Sequence, residues 1–205
     1  MSTRRSVPIP SLTISCAALL LIFDASSIQA ARVSPTALER DTGAVQTPTV
    51  SQPPAAAGAN ILNLDTSESF ATIAAAINDA DTATGHTLEV QSATHSEGIV
   101  NVTKGVTIQG TSGGSTINAA ANTGSSGNAR GWFLISANDV TFRDLTFDGG
   151  AFNIHQAIRC NNPGLTVESC GFQNLGFSTY VGFGIASFEN ATITDCVFSN
   201  IERVS

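Results

Sequence analysis

A phrase of eight residues repeats near the end of this chain and constrains its fold more than any other feature. Its three copies are Val140–Phe147, Leu165–Phe172 and Ala191–Phe198. The copies start at residues 140, 165 and 191, so the period is 25 and then 26 residues. A nearly fixed period of this length is typical of proteins that stack similar units along one axis. The sequence therefore predicts a solenoid.

Each copy contains two short runs of alternating apolar and polar residues, separated by two mostly polar residues. Alternation in a strand places Val140 and Phe142 on one face and Thr141 on the other, and Leu145 and Phe147 then resume the apolar face. Alignment predicts four inward columns and one outward column. They are Val140/Leu165/Ala191, Phe142/Val167/Ile193, Leu145/Cys170/Cys196, Phe147/Phe172/Phe198 and the outward Thr141/Thr166/Thr192.

A third run of mostly apolar residues precedes each copy, at residues 132–136, 157–160 and 183–188. Polar residues, glycine or proline follow each of these runs and break it. Three strands per repeat predict an all-β solenoid of three sheets, in which successive turns pair in parallel about 4.8 Å apart. A coil of two sheets with the same period is the alternative, and it fits the three breakers less well.

The composition excludes several classes of partner. Only 12% of the residues are charged, and the formal net charge is −7 at pH 7. The chain has no basic stripe that would neutralise phosphates, which argues against a nucleic-acid partner. The same acidic balance argues against electrostatic binding to anionic lipid.

The first segment, residues 1–30, has the features of a secretory signal peptide. Arg4 and Arg5 form a charged start, residues 12–23 form an apolar core, and cleavage is expected after Ala30. The apolar run is too short to span a bilayer, so we expect no membrane span in the mature chain. The predicted location is secreted, either extracellular or in the periplasm or cell envelope.

The next segment, residues 31–60, is rich in Pro, Ala, Thr, Ser and Gln, and includes Pro53 and Pro54. Such a segment cannot build a core of its own, so it is predicted to be a disordered linker. The folded domain is then predicted over residues 61–205.

Three cysteines follow the predicted leader: Cys160, Cys170 and Cys196. Export permits disulfides, but an odd number leaves at least one thiol unpaired. Cys170 and Cys196 share an inward column, where adjacent strands bring Cα atoms within disulfide range. Their side chains run parallel, however, so buried free thiols are the favoured interpretation and a disulfide is the alternative.

A second set of motifs precedes the repeats. Residues 69–80 carry apolar side chains at helical spacing, and Leu88–Val90, Glu97–Val102 and Lys104–Gly110 follow. This order resembles the N-terminal cap and first turn of the pectin-lyase-like right-handed parallel β-helix superfamily, and residues 65–201 fit its pattern. The resemblance implies a right-handed coil of about four or five turns with a capping helix.

The chain departs from that pattern in two places. Family members commonly carry Gly-x-Tyr before the glutamate, where this chain has Ala93-Thr-His-Ser-Glu97, so we expect a loosely built cap. The chain also ends at Ser205, after a complete copy and without a segment that resembles a C-terminal cap. Because an uncovered last turn exposes strand edges, we expect a truncated domain, or self-association or a partner at this end.

Enzymes of this superfamily act on acidic polysaccharides, so the resemblance implies catalytic candidates at the two-residue corners. These are Arg143, Asp144, Glu168 and Asp195. Two turns separate Asp144 from Asp195 by about 9–10 Å, at or beyond the upper limit for an inverting glycosidase. The favoured alternative is that Arg143 and Glu168 form an exposed ion pair of little energetic value.

Calcium is the cofactor that residues at these corners could bind. Asp144, Asp148 and Glu168 are candidate oxygen ligands, since carboxylates at a corner can converge on a cation. No calcium-loop motif supports such a site. We therefore expect no cofactor, with calcium as the alternative.

Candidate binding residues lie beside the third run. The loop at residues 174–183 carries Phe177 and Tyr180, which either stack on sugar rings or pack back on the coil. His155 and Arg159 are candidates for binding an acidic sugar, although a lone histidine near a turn is commonly a solvated surface group.

The function predicted from these features is a secreted, non-catalytic β-helix module that binds glycans or serves a cell-envelope or adhesion role. It rests on the short coil and on the lack of a recognisable catalytic set. The alternative is a polysaccharide lyase or hydrolase acting on acidic polysaccharide, or a truncated remnant of one, which rests on the resemblance alone.

Overall fold

The computed structural model describes residue 58, residues 60–177 and residues 180–201. At residues 177, 180 and 181 the description covers the backbone and not the side chain. The predicted signal peptide and nearly all of the predicted linker lie outside the described residues. No helix among the described residues is long and apolar enough to cross a membrane.

The described residues form seventeen short strands, one α-helix and one 3₁₀-helix. The strands are β1 (Ile61–Asn63), β2 (Ser69–Phe70), β3 (Thr87–Val90), β4 (Thr94–Glu97), β5 (Val100–Val102), β6 (Thr107–Gly110), β7 (Ser115–Ala119), β8 (Gly131–Ile135), β9 (Thr141–Arg143), β10 (Leu145–Asp148), β11 (Gln156–Cys160), β12 (Leu165–Glu168), β13 (Gly171–Phe177), β14 (Tyr180–Val181), β15 (Phe183–Ser187), β16 (Ala191–Thr194) and β17 (Val197–Ile201). Helix α1 spans Ile73–Asn78, and the 3₁₀-helix spans Gly127–Arg130.

The strands form three sheets that wind along one axis. Sheet A contains β3, β6, β9, β12 and β16 in parallel, and β1 and β2 extend it in antiparallel pairing. Sheet B contains β4, β7, β10, β13 and β17, and sheet C contains β5, β8, β11 and β15. The fold is thus a parallel β-solenoid of about four turns. The predicted three-sheet solenoid is confirmed, with the repeated phrase in sheets A and B and the third run in sheet C.

Strand register confirms predicted columns. Phe147 pairs with Phe172, which pairs with Phe198. Threonines occupy one outward column of sheet A through five strands: Thr87, Thr107, Thr141, Thr166 and Thr192. Because one face of each strand is buried, a slip of one residue would expose the whole apolar set, and this fixes the register.

The two polar residues inside each phrase turn the chain from sheet A to sheet B. Asp144, Ser169 and Asp195 occupy successive corners with φ values of 55°, 50° and 52°. These values lie in the left-handed region, which short polar residues such as aspartate tolerate better than branched or bulky ones. The conformation explains why each phrase carries a short polar residue where its two strands meet.

Aromatic rings form the centre of the core. Phe147, Phe172 and Phe198 stack in a column with ring centroids 5.1 and 5.0 Å apart and interplanar angles of 6° and 9°. Trp132 meets Phe147 edge-on at 6.0 Å. A Cβ atom on Gly184 would lie 2.5 Å from the ring of Phe198. Glycine at that position therefore makes room for the stack.

Opposite charges hold the capping helix at its two ends. Glu97 Oε2 accepts the Ile73 N–H at 2.7 Å and lies 2.9 Å from Nε2 of His95, and both side chains are buried. Lys104 Nζ donates to the carbonyls of Asp79 and Thr82 at 2.5 and 2.7 Å. A carboxylate at the start of a helix and an ammonium group at its end both interact favourably with the helix dipole, and so both stabilise the helix.

Helix α1 is shorter than the apolar pattern at residues 69–80 suggested. The first residues of that predicted segment, Ser69 and Phe70, form β2 instead and pair with β1. The helix begins after Thr72, whose hydroxyl accepts the Ala75 N–H at 3.0 Å. Threonine caps a helix in this way because the first N–H groups have no partner within the helix.

The last described turn differs from the turns before it. Ile193 and Phe198 belong to inward columns, yet they are 46% and 49% exposed. Their counterparts one turn earlier, Val167 and Phe172, are buried. The self-association or partner contact predicted at this end stays a prediction.

The three described cysteines are free thiols, as the favoured interpretation expected. Cys160 and Cys170 are buried, whereas Cys196 is partly exposed. Burial raises the pKa of the Cys170 thiol to about 12. At pH 8 the thiolate fraction of Cys170 is then roughly one in ten thousand, and the thiolate is the reactive form.

We therefore expect iodoacetamide to alkylate Cys196 well before Cys160 and Cys170 in the folded protein. Timed alkylation at pH 8 followed by peptide mass spectrometry measures the order. Alkylation in urea is the control, and there the three rates should converge. Equal rates in the folded protein would contradict the packing of these thiols.

Candidate functional site

The predicted corner residues occupy the outer surface of sheets A and B. Arg143 and Glu168 are in register on adjacent strands, but they form no ion pair. Arg143 instead donates from Nε and Nη2 to Oε1 of Gln109, at 2.8 and 2.5 Å. Gln109 in turn donates to Glu89 at 2.9 Å. The prediction of an Arg143–Glu168 ion pair is therefore wrong, because Gln109 on the preceding turn accepts hydrogen bonds from two N–H groups of the guanidinium.

A groove lies on the outer face of sheet B, beside the corner of Asp195. It has a volume of about 300 Å³, and Gly171 lies between Thr146 and Val197 in the outward column along it. We call it the Gly171 groove, and the polar residues that line it are Thr146, Ser169, Gln173, Asp195 and Ser199.

Only one of the two predicted aspartates belongs to this groove. Asp195 lines it, whereas Asp144, two turns away in the same corner column, does not. Hydrolysis of a glycosidic bond commonly requires two carboxyl groups that flank the same bond. The groove therefore offers a single carboxylate, which suits binding of hydroxyl groups better than paired acid–base catalysis.

Asp148 is held by a polar ladder at the end of sheet B. Its carboxylate accepts hydrogen bonds from Gly150 N–H, Asn174 Nδ2 and Gln173 Nε2, each at 2.8 Å. Asn200 continues the ladder by donating to Asn174 at 2.6 Å. Burial raises the pKa of Asp148, but these hydrogen bonds outweigh it and lower the pKa below the ordinary value. A calcium ion at Asp148 would have to displace these donors.

The predicted calcium ligands do not form the acidic cluster that the structure shows. Among the described residues, one group of three carboxylates has ligand atoms within 4.8 Å of one another: Glu68, Asp79 and Asp81. It lies at the cap and not at the corners. Sequence reasoning missed it because Glu68, just before β2, and the chain beyond α1 come together only in the fold, although the Asp79-Ala-Asp81 spacing was visible.

A basic and aromatic surface covers part of sheet C. Arg159 lies on β11, and its Cζ atom is 4.5 Å from the centre of the Phe188 ring, which follows β15. Arg159 Nε donates to Asn128 at 3.2 Å, and Nη1 donates to Gln156 at 3.1 Å. These contacts orient the guanidinium group. We call this surface the arginine–phenylalanine patch, and its members are Arg130, Arg159, Phe183 and Phe188.

His155 lies beneath the patch and is not the solvated surface group that the sequence suggested. Its side chain is buried, and its ring stacks on Phe183 with centroids 6.0 Å apart. The backbone N–H donates to Thr123 Oγ1 at 2.9 Å, which holds the loop against the preceding turn. Burial, followed by the charges of Arg130 and Arg159, lowers the pKa of His155. The imidazole is therefore neutral at pH 7, and the arginines supply the charge of the patch.

Much of the predicted loop with Phe177 and Tyr180 is strand. Strand β13 extends to Phe177, and Phe177 pairs with Tyr180 of the antiparallel strand β14. Strand β14 leads into β15, whose first residue, Phe183, belongs to the patch. The side chains of Phe177 and Tyr180 lie outside the description, so their role in binding stays a prediction.

Two of the four lysine and arginine residues in the described part of the chain belong to this patch. The four residues are Lys104, Arg130, Arg143 and Arg159. Lys104 holds the cap and Arg143 holds Gln109, as described above, while Arg130 and Arg159 form no ion pair with any described carboxylate. Phe183 and Phe188 beside them are 48% and 61% exposed. The patch is thus a cationic, aromatic surface on an acidic protein.

Comparisons with protein-family models, with curated proteins and with solved structures found no match to this chain.

Proposed function

We propose that this chain is a secreted, non-catalytic β-helix module that binds acidic glycans through the arginine–phenylalanine patch. The observation that carries the proposal is Arg159, which lies against the exposed ring of Phe188 and has no carboxylate partner among the described residues. The solenoid fold and the resemblance to the pectin-lyase-like superfamily, whose enzymes act on acidic polysaccharides, support the same class of ligand. A cell-envelope or adhesion role follows if the glycan belongs to a cell surface.

The chemistry of the patch suits an acidic sugar. A guanidinium group pairs with carboxylate or sulfate through charge-assisted hydrogen bonds, and an aromatic face packs against the C–H groups of a sugar ring. Asn128 and Gln156 hold Nε and Nη1 of Arg159, and Nη2 makes no hydrogen bond to a described residue. Orientation before binding lowers the entropic cost of capturing a ligand.

The alternative is a lyase or hydrolase that acts on acidic polysaccharide. It rests on the family resemblance, and its candidates Arg143, Asp144, Glu168 and Asp195 lie on sheets A and B or their corner. The patch lies on sheet C, so the two proposals use separate surfaces. Mutations can therefore distinguish them.

We expect Arg159→Ala to weaken binding of uronate- or sulfate-bearing oligosaccharides about tenfold or more, since it removes a charge-assisted contact. An array of acidic and neutral glycans selects the ligand, and calorimetric titration gives the dissociation constant. Arg143→Ala is the matched control, because it removes an exposed arginine from sheet A. Binding should also weaken as salt is raised.

The result that would contradict the proposal is equal binding by the Arg159→Ala and Arg143→Ala variants. The catalytic alternative has its own measurement, the ultraviolet absorbance of unsaturated uronides released from pectate or alginate with calcium present. Activity that Arg143→Ala abolishes would establish that alternative.

The predicted contact at the last described turn is part of the same proposal. Exposure of Ile193 and Phe198 supports an apolar surface there for a second copy of the chain or another protein. Such a contact would present several patches together and so raise the avidity for a polymeric glycan.

A further inference from the structure

Gly171 is a strand glycine that the backbone does not require. It begins β13, its φ is outside the left-handed region, and it lies in the outward column between Thr146 and Val197. A Cβ atom on Gly171 would come closest to the Thr146 side chain, at 3.0 Å from Oγ1. The methyl group of Thr146 follows at 3.3 Å, so a larger residue requires the Thr146 side chain, and no backbone atom, to move by a few tenths of an ångström.

Other glycines of the coil have a clear steric reason. A Cβ atom on Gly110 would lie 2.1 Å from the carbonyl oxygen of Asp144, and one on Gly149 would lie 2.3 Å from that of Asn174. Gly171 has no such backbone neighbour. A glycine inside a strand weakens it, and such a glycine often marks a place where a ligand approaches the backbone closely.

The missing side chain at Gly171 opens the Gly171 groove. Its volume of about 300 Å³ lies at the lower end of the range for small-molecule sites. The groove therefore has room for one small ring and not for a large cofactor. A β-branched side chain at residue 171, like that of Val197 in the same column, would fill it.

The polar groups of the groove are available to a ligand. The Asp195 carboxylate and the hydroxyls of Thr146, Ser169 and Ser199 make no hydrogen bond to the described residues. Gln173 uses its Nε2 group on Asp148 and leaves its carbonyl oxygen without a described partner. Several acceptors and hydroxyls thus converge on one space.

The charge of the groove selects against anions. No lysine, arginine or histidine lines it, and Asp195 contributes a negative charge. A carboxylate accepts strong hydrogen bonds from neighbouring hydroxyls, and the bare backbone at Gly171 admits the C–H face of a ring. These features together fit a neutral, polyhydroxylated ring.

We propose that the Gly171 groove is a binding site for a neutral pyranose ring, in which Asp195 accepts hydrogen bonds from the sugar hydroxyls. The site is distinct from the arginine–phenylalanine patch in place and in charge. It does not depend on the function proposed for that patch.

The test uses the methyl glycosides of glucose, galactose, mannose and xylose at millimolar concentration, with saturation-transfer difference NMR as the readout. We expect at least one glycoside to bind the wild-type protein. Gly171→Val should reduce its affinity at least tenfold while the protein stays folded, because the strand preference of valine offsets the close contact with Thr146. Asp195→Asn should reduce the affinity about tenfold without filling the groove.

Two controls separate the sites. Thr116→Val changes the same outward column one turn beyond Thr146, outside the groove, and should leave glycoside binding intact. Arg159→Ala should also leave it intact, and Gly171→Val should leave acidic-glycan binding intact. The proposal is overturned if no glycoside binds the wild-type protein, if binding requires calcium, or if Gly171→Val binds as the wild type does.

Discussion

Replacement of Phe147 by alanine should lower the free energy of unfolding by about 3–5 kcal/mol. The Phe147 ring is fully buried and meets four other aromatic rings. It stacks on Phe172 at 5.1 Å and meets Trp132, Phe133 and Phe142 at 6.0, 5.3 and 5.7 Å. Truncation would leave a cavity between two turns, and in a solenoid each turn depends on its immediate neighbours.

Urea denaturation followed by circular dichroism measures this loss. Domains of this size have about 5–15 kcal/mol of stability in total, so the Phe147→Ala variant should unfold at a much lower urea concentration. Phe152→Ala is the matched control, because Phe152 is 38% exposed, and it should cost clearly less than Phe147→Ala. Equal losses in the two variants would show that the aromatic column does not hold the turns together.

Glu97→Ala should cost about 3 kcal/mol or more and should release the capping helix. The substitution leaves the Ile73 N–H and the His95 ring buried without the carboxylate that now bonds both. An unsatisfied buried polar group costs about 1–3 kcal/mol, and loss of one member of a buried pair costs about 3–5 kcal/mol. The effect should concentrate in the cap, because both contacts join it to the first turn.

Trp132 reports on this region directly. It is the only tryptophan of the chain, and its indole N–H donates to the carbonyls of Glu97 and Gly98 at 3.3 and 2.8 Å. Hydrogen exchange of the Ile77 amide and the emission of Trp132 should therefore both change in Glu97→Ala. Glu89→Ala, which removes a partly exposed carboxylate from sheet A, is the control. The explanation fails if both variants exchange the Ile77 amide at the wild-type rate.

The repeated phrase was sufficient to predict the scaffold. Phe147, Phe172 and Phe198 share one position in three copies, and only stacking of the copies lets all of them face the same interior. The parity of each strand then decides which residues face outward, so the threonine column followed from the same alignment. Glu97 and Lys104 were visible as a motif, but their contacts with the two ends of helix α1 were not.

The paths of the loops between strands could not be predicted from the repeat period. His155 was expected at the surface, yet Thr123 of the preceding turn holds its backbone and Phe183 of the next turn covers its ring. Thr123 also donates to the Asn153 carbonyl at 2.9 Å, which joins two loops of unequal length. Because the repeat sets the spacing of strands and not the path of these loops, the arginine–phenylalanine patch could be recognised only in the structure.

The repeated phrase thus determined three things: the stacked β-coil, which residues form its inward columns, and which polar residues lie at its corners. These follow from alternation and period alone, since both are properties of the chain read in order. The tertiary structure decided that Arg143 bonds Gln109 and not Glu168, and that Asp195 lines a groove without Asp144. It also showed that Gly171 is free of the backbone contacts that require glycine elsewhere. Such facts depend on which side chains from different turns are in contact, and residue spacing does not specify those contacts.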